Sequence, residues 1–438
     1  QAAQKAPLYV GWATADITPA RPVALVGQMH LRVSKGVDDP LTATALAIET
    51  RTKAGKTIEQ AIMVSCDLCI TWKATQEKVR QRLKLLLEGF DVEKLFLNAT
   101  HTHTAPQQED NAFGGLYDVS KVKGAMKASE YREFLTARLA AAAAKAWKAR
   151  APGGMSWALG QAVVGHNRRA AYFNGRSQMY GNTNVANFDR IEGYEDHGLC
   201  LLFFFNGARK LTGMVVNVAC PSQETEGMSR VSADFWHDVR QEIRKRHGKH
   251  LAVLAQCSAA GDLSPHLLFR KRAEQIMLKR KGISRRQEIA LRIADAIDRV
   301  LPDAKKSIEP TAVFRHEVAR VKLPVKQPRA QPFYRCDPTD PIEFHVLRLG
   351  ETALATNPFE LYLDYGVRIK ARSKAVLTFV VQLSCANCGY LPTARAVKGG
   401  GYSADKYIVG PKGGQVLVNE TVKRINALWK VPPARVSD

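Results

Sequence analysis

The chain lacks any apolar run long enough to cross a bilayer. Its longest, residues 198–205 (GLCLLFFF) and 375–383 (AVLTFVVQL), fall well short of the roughly 20 residues that a membrane helix needs, so such a helix is excluded. Fixed-period repeats and low-complexity tracts are also missing, which removes solenoids and propellers. Cysteines are few, eight in 438 residues, and a disulfide scaffold of this length would need more. Acidic residues are the scarce charge: 41 Asp and Glu against 64 Lys and Arg leave a net +23. Such an excess steers acidic partners or keeps an exported chain soluble. Its densest stretch, residues 270–286 (RKRAEQIMLKRKGISRR), has no helix-turn-helix pattern, RNP-type aromatic motif or zinc-finger spacing beside it. Nucleic acid is therefore not the expected partner. An anionic substrate, or peripheral contact with a membrane surface, fits the balance better.

What is present is an ordinary globular composition, 45% hydrophobic and 24% charged, enough for a large core. The opening QAAQKAP has no apolar stretch and does not start with Met, so an exported protein, periplasmic or extracellular, with its leader removed is expected. Strand-like runs at 44–50, 59–65, 94–99, 213–219, 251–256, 343–349, 352–355 and 376–383 interleave with helical patterns at 75–87, 129–148, 232–245, 286–301 and 360–372. Ser232 is placed to cap its helix. Residues 315–341 are Pro-rich and strand-poor, an insertion or covering loop. The interleaving predicts an α/β fold: one mixed-sheet catalytic domain over residues 10–430 with helices around it, an extension at 1–9 and a tail at 431–438. The site is expected at the C-terminal ends of strands. The pairs Cys66/Cys69 and Cys385/Cys388 each sit at a strand-like run rather than in a small loop, which favours buried thiols or a local disulfide over a zinc knot.

Five predicted strands run into polar clusters. LFLNATHTHTAPQ ends in His101 and His103, and because residues i and i+2 of extended backbone share a face, both imidazoles can enter one cavity. MVVNVACPSQETEG ends at Cys220, either a ligand or nucleophile or a buried structural thiol. LAVLAQCSAAGDLSPHL presents Asp262 and Ser264 in a turn that is not the hydrolase GxSxG elbow. TALATNPFELYLDYG places Glu360 at a predicted helix start, as a ligand or as a partner of the helix dipole. SCANCGYLPTARAV puts Tyr390 beyond the fifth strand, as an oxyanion donor, a ligand or simple packing.

VGWATADITP, HTHTAP, HNRRAAY, GDLSP, NPFE and GYLPTA, in this order, resemble the motifs of the neutral/alkaline non-lysosomal ceramidase family. The resemblance runs from about residue 10 to about residue 418, and does not extend to the family's usual C-terminal β-sandwich. It implies a zinc hydrolase, one ion per chain, that cleaves the amide of an N-acyl sphingoid lipid. His101 and Glu360 would be ligands, with Tyr390 a ligand or oxyanion donor. His103 would move protons, Ser264 would be the nucleophile and Arg168 would hold a substrate oxygen. Where the family has a second histidine ligand, this chain reads Ala219-Cys220-Pro221-Ser222, which makes Cys220 a substituted ligand, since zinc accepts thiolate. Asp234, His237, Asp262 and His266 are expected to support the site from behind. Two other readings keep the fold: a metal-dependent hydrolase or lyase on an anionic saccharide, and a binding protein with a decayed site. A hydrophobic groove beside the metal would favour lipid, and a basic, aromatic-lined cleft the saccharide. The oligomeric state is open.

Overall fold

The computed structural model describes residues 5–325 and 341–430. Its elements fall into one unit used three times. The first comprises β1 (Ala6–Asp16), β2 (Thr42–Arg51), β3 (Thr57–Cys66), α1 (Lys73–Leu86), β4 (Leu95–Ala99) and α2 (Ala128–Lys148). The second comprises β5 (Ala151–Gln161), β6 (Gly198–Asn206), β7 (Leu211–Val218), α3 (Phe235–His247) and β8 (Ala252–Cys257), followed by α4 (Lys271–Lys281) and α5 (Arg285–Ala304). The third comprises β9 (Phe314–Val321), β10 (Ile342–Leu349), β11 (Thr352–Thr356), α6 (Leu363–Arg372) and β12 (Leu377–Val381), then α7 (Ala394–Gly399) and α8 (Pro411–Ala427). In each unit three strands form an antiparallel meander, and a helical crossover returns the chain to a fourth strand parallel to the third. The expected mixed-sheet α/β fold is what the chain forms.

Units one and two join where Tyr9 and Val10 pair with Pro152 and Ala151, giving the continuous order β8-β7-β6-β5-β1-β2-β3-β4. Unit three keeps its own sheet, β9-β10-β11-β12. Each sheet is covered on both faces, which is why so many of its strands read as unbroken apolar runs rather than alternating ones. The outer faces pack on their own unit's helices: Val64 and Leu97 with Val79 and Leu139, Val216 and Val253 with Val239 and Ile293, Val346 and Val380 with Ile369 and Leu417. The inner faces share one core, where Ile48 and Phe96 meet Phe204 and Leu254 and also Leu347 and Phe379.

That shared core brings the C-terminal ends of β4, β8 and β12 together. Cys385 N donates to Leu97 O at 3.1 Å, Ala99 N to Leu383 O at 3.2 Å, and Gln382 N to Cys257 O at 3.0 Å. The loops after these three strands therefore leave from one place, and the candidate site lies there.

The structure corrects several sequence expectations. The threefold unit escaped a search for fixed periods because its insertions differ, residues 17–41 in the first unit and 162–197 in the second. β1 starts at Ala6, inside the supposed extension, because Ala6 and Pro7 pair with Ala312 and Thr311. Asp234 rather than Ser232 caps α3, its carboxylate accepting from Phe235 N at 2.6 Å. Ser232 Oγ instead accepts from Asp234 N. Glu360 does not begin a helix: Glu360–Leu361 is a short strand parallel to Tyr390–Leu391, and α6 starts at Leu363. Part of the strand-poor 315–341 segment is β9, while residues 326–340 and the tail at 431–438 lie outside the described residues.

Candidate active site

Unit one supplies two imidazoles from the loop after β4. His101 is buried at a positive φ of 70°, a backbone strain that such sites often carry. Its Nδ1 lies 2.6 Å from the carbonyl of Cys69, in the loop after β3. The carbonyl can only accept, so Nδ1 carries the hydrogen and Nε2 is turned toward Glu360 Oε2 at 3.2 Å and His103 Nε2 at 3.5 Å. Burial disfavours a charged His101, but Cys69 and Glu360 outweigh it and hold the ring well above its ordinary pKa. His103 goes the other way, pushed well below by burial and by the charges of His101 and Arg168. The Gln223 amide donates to His103 Nε2 at 2.8 Å, while the buried Nδ1, without a hydrogen bond, stands 3.4 Å from Glu226 Oε2. Gly27, at φ +112°, lies flat against this ring, since a Cβ there would be 2.3 Å from His103 Cγ.

Unit three supplies the carboxylate and the phenol. Parallel pairing sets Glu360 opposite Tyr390, and their side chains are hydrogen-bonded. Burial opposes ionisation of Glu360, yet His101 and then Arg168 keep it below the usual carboxylate range. Burial and the Glu360 charge push Tyr390 well up, so it stays a neutral donor. Gly261 allows the approach of unit two, because a Cβ there would sit 2.4 Å from Glu360 O.

Arg168 completes the constellation from unit two. Its Nη1 donates to Gln223 Oε1 at 2.9 Å, and its Nη2 to Gly261 O at 3.0 Å and to Tyr390 Oη at 3.3 Å. His101, His103, Glu360 and Tyr390 line one cavity with Val26, Met29, Ile70, Phe113, Tyr117 and Tyr402. Among the described residues no Lys or Arg lines it, and its walls are mainly apolar.

The remaining expected residues fall outside that cavity. Cys220 belongs to the apolar core of unit two, its thiol donating to Pro221 O at 3.4 Å and pushed well up by burial. A buried neutral thiol facing a hydrophobic core is a poor ligand. The cysteine that approaches His101 is Cys69, with Sγ 3.8 Å from Nδ1, and Cys69, His101 and His103 form a close metal-ligand group. Ser264 is fully buried, its Oγ accepting from His266 N at 2.9 Å, and it does not line the cavity. Asp262 accepts from Asn167 Nδ2 at 3.0 Å and Leu363 N at 2.8 Å, fixing the segment that carries Arg168. Asp234 accepts from Thr225 N and Oγ1, both at 2.6 Å, and so holds the loop that presents Gln223 and Glu226. His266 faces Glu224 at 3.2 Å and Glu226 at 3.8 Å. His237 sits by Asp39, 3.9 Å away, apart from the cavity. Sequence reasoning leaves Gln223 and Glu226 unmarked and reads Cys69 only as a buried thiol or disulfide partner of Cys66, although each lies beyond an apolar strand that enters a polar loop.

The seven described cysteines are buried and form no disulfide, and Cys336 lies outside the described residues. A second ligand-type group, Glu343, His345 and Cys385, is already neutralised: Glu343 accepts from Arg80 Nη2 at 2.7 Å, Arg320 Nη2 at 2.8 Å and Gln76 Nε2 at 3.0 Å.

No protein-family model matches the chain, and no curated protein matches it by sequence. Among solved structures, neutral ceramidase from Pseudomonas aeruginosa superposes with a TM-score of 0.75 at 18% identity, over 99% of this chain and 76% of that one. A ceramidase complexed with C2 gives 0.71 at 17% identity, over 99% and 77%. The chain has the fold of these ceramidases.

Proposed function

We propose that this chain is an exported zinc-dependent hydrolase that cleaves the amide of an N-acyl lipid. The observation that carries the reading is the meeting of His101 Nε2, His103 Nε2, Glu360 and Tyr390 in one cavity. Units one and three line the cavity, unit two backs it through Arg168 and Gln223, and the fold is that of ceramidases. The donor set fits zinc. His101 gives its other ring hydrogen to a backbone carbonyl, the arrangement by which proteins orient metal-binding imidazoles. The raised His101 beside the depressed Glu360 also marks a place that favours positive charge. His101 and Glu360 would hold the ion, with His103, Tyr390 and Cys69 adjacent. When bound, zinc polarises a carbonyl and lowers the pKa of a coordinated water toward about 7.

The chain's own groups supply the rest. Neutral His103 is the proton carrier of this reading: its Nε2 gives up the bond it accepts from the Gln223 amide to take a proton from the attacking water, and returns that proton to the leaving amine. Tyr390, which lines the cavity, is the donor for the developing oxyanion, and Arg168 positions it from behind by donating through Nη2 to its Oη. Among the described residues Ser264 has no general base in hydrogen-bond contact, and it does not line the cavity, so this reading assigns the attack to water. The apolar walls favour an acyl chain over a charged saccharide.

The test is zinc content by elemental analysis, together with hydrolysis of N-acyl sphingoid lipids, for the wild type and Glu360→Gln. About one zinc per chain and measurable hydrolysis are expected, with both lost in the variant. A wild type that stays metal-free after incubation with zinc sinks the proposal.

A further inference from the structure

Helix α4 is the least embedded element of its length in the chain. None of its residues is buried, and only Glu274 and Leu278, one turn apart, are half-buried against the body. An isolated helix of this length is marginal in water, and α4 adds little core of its own. Ile276 and Arg280 point outward, and Ala273 and Met277 lie beside them at the rim of a groove shared with Val163 and Arg292. Ile276 is 41% and Met277 48% exposed, and Phe269 just before the helix is 44% exposed.

Around this apolar strip the charge has one sign. Arg270, Lys271, Arg272, Lys279, Arg280 and Lys281 surround it, against a single acid, Glu274, which is held by Arg285 at 2.8 Å. Of the six, Lys281 is paired with Glu288. The other five have no carboxylate partner among the described residues. Exposed apolar side chains set among unpaired cations match the interfacial helix, which sinks its apolar side chains below the headgroups and places its cations among lipid phosphates. A nucleic-acid groove would leave the apolar strip in water.

We propose that α4, with Phe269, is a docking element for anionic lipid surfaces. Its place in the chain suits that role. The backbone runs from His266, whose ring reaches Glu226 beside His103, directly into Phe269 and α4. A docked helix would hold the candidate site against the lipid. The docking does not depend on the hydrolase reading, because vesicle binding requires neither metal nor turnover.

The test is co-sedimentation of the full chain with phosphatidylcholine vesicles, with and without phosphatidylglycerol. Binding is expected to require the anionic lipid and to weaken with added salt. The double variant Lys279→Ala/Arg280→Ala should weaken it by about thirty-fold, and Ile276→Ser/Met277→Ser should abolish what survives in high salt. All four side chains are exposed, so an unchanged circular dichroism spectrum and melting temperature confirm that both variants fold. Equal binding to both vesicle types, or no loss in either variant, overturns the proposal. So does tighter, variant-sensitive binding to duplex DNA, which would reassign the helix to nucleic acid.

Discussion

Asp262 offers a measurable consequence of how the site is held. Its carboxylate is buried, accepts from Asn167 Nδ2 and Leu363 N, and lies in the turn whose carbonyl receives Arg168 N. Burial pushes its pKa up to about 6, and the bond from Leu363 offsets only part of that. In the unfolded chain the same carboxyl titrates near about 3.9. The folded value is raised, so the folded state binds its proton more tightly. The associated stability is fully present below pH about 4 and is lost as pH rises through about 6. A shift of about two units, at 1.36 kcal/mol each, makes that loss about 3 kcal/mol. Asp262→Asn removes the titration. Its oxygen still accepts from Leu363 N, but its amide then faces the Asn167 amide, costing about 1–3 kcal/mol at every pH. The assay is urea unfolding of both proteins, followed by tryptophan fluorescence between about pH 4 and pH 7, with the difference plotted against pH so that other groups cancel. The wild-type advantage should shrink by about 3 kcal/mol across that window. A difference that is flat, or that grows with pH, would refute the reasoning.

Two further outcomes separate neighbouring residues. Cys220→Ala should leave zinc content unchanged and lower stability by about 1 kcal/mol, since its thiol faces the core of unit two; loss of zinc on elemental analysis would return Cys220 to the ligand set. Gly27→Ala places a methyl group on the His103 ring at a positive φ. It should cost about 1–3 kcal/mol in thermal unfolding and lower kcat more than it raises KM, and unchanged kinetics would mean that the ring does not need that support.

Local chemistry made a good part of this protein legible in its sequence. Apolar runs of strand length, amphipathic helices and polar clusters at strand ends predict an α/β fold with a site on one side, because burial and side-chain periodicity are local constraints. His101 and His103 stand out as two imidazoles just past a strand end, and they do share a cavity, though not by the extended backbone that predicts it, since His101 turns to a φ of 70°. Tertiary structure decided the rest. The threefold unit appears only when pairing partners are known, since insertions of different length hide it from any fixed-period search. Glu360 looked like a helix start until its parallel pairing with Tyr390 placed it in a strand. Cys69 and Cys220 each lie just beyond an apolar strand, and nothing local separates them. One approaches His101 and the other packs into the core of unit two, because the neighbours each meets are brought from distant parts of the chain. The sequence determines which residues sit near strand ends, because that depends on a few neighbours; which of them meet depends on contacts among three units far apart in the chain.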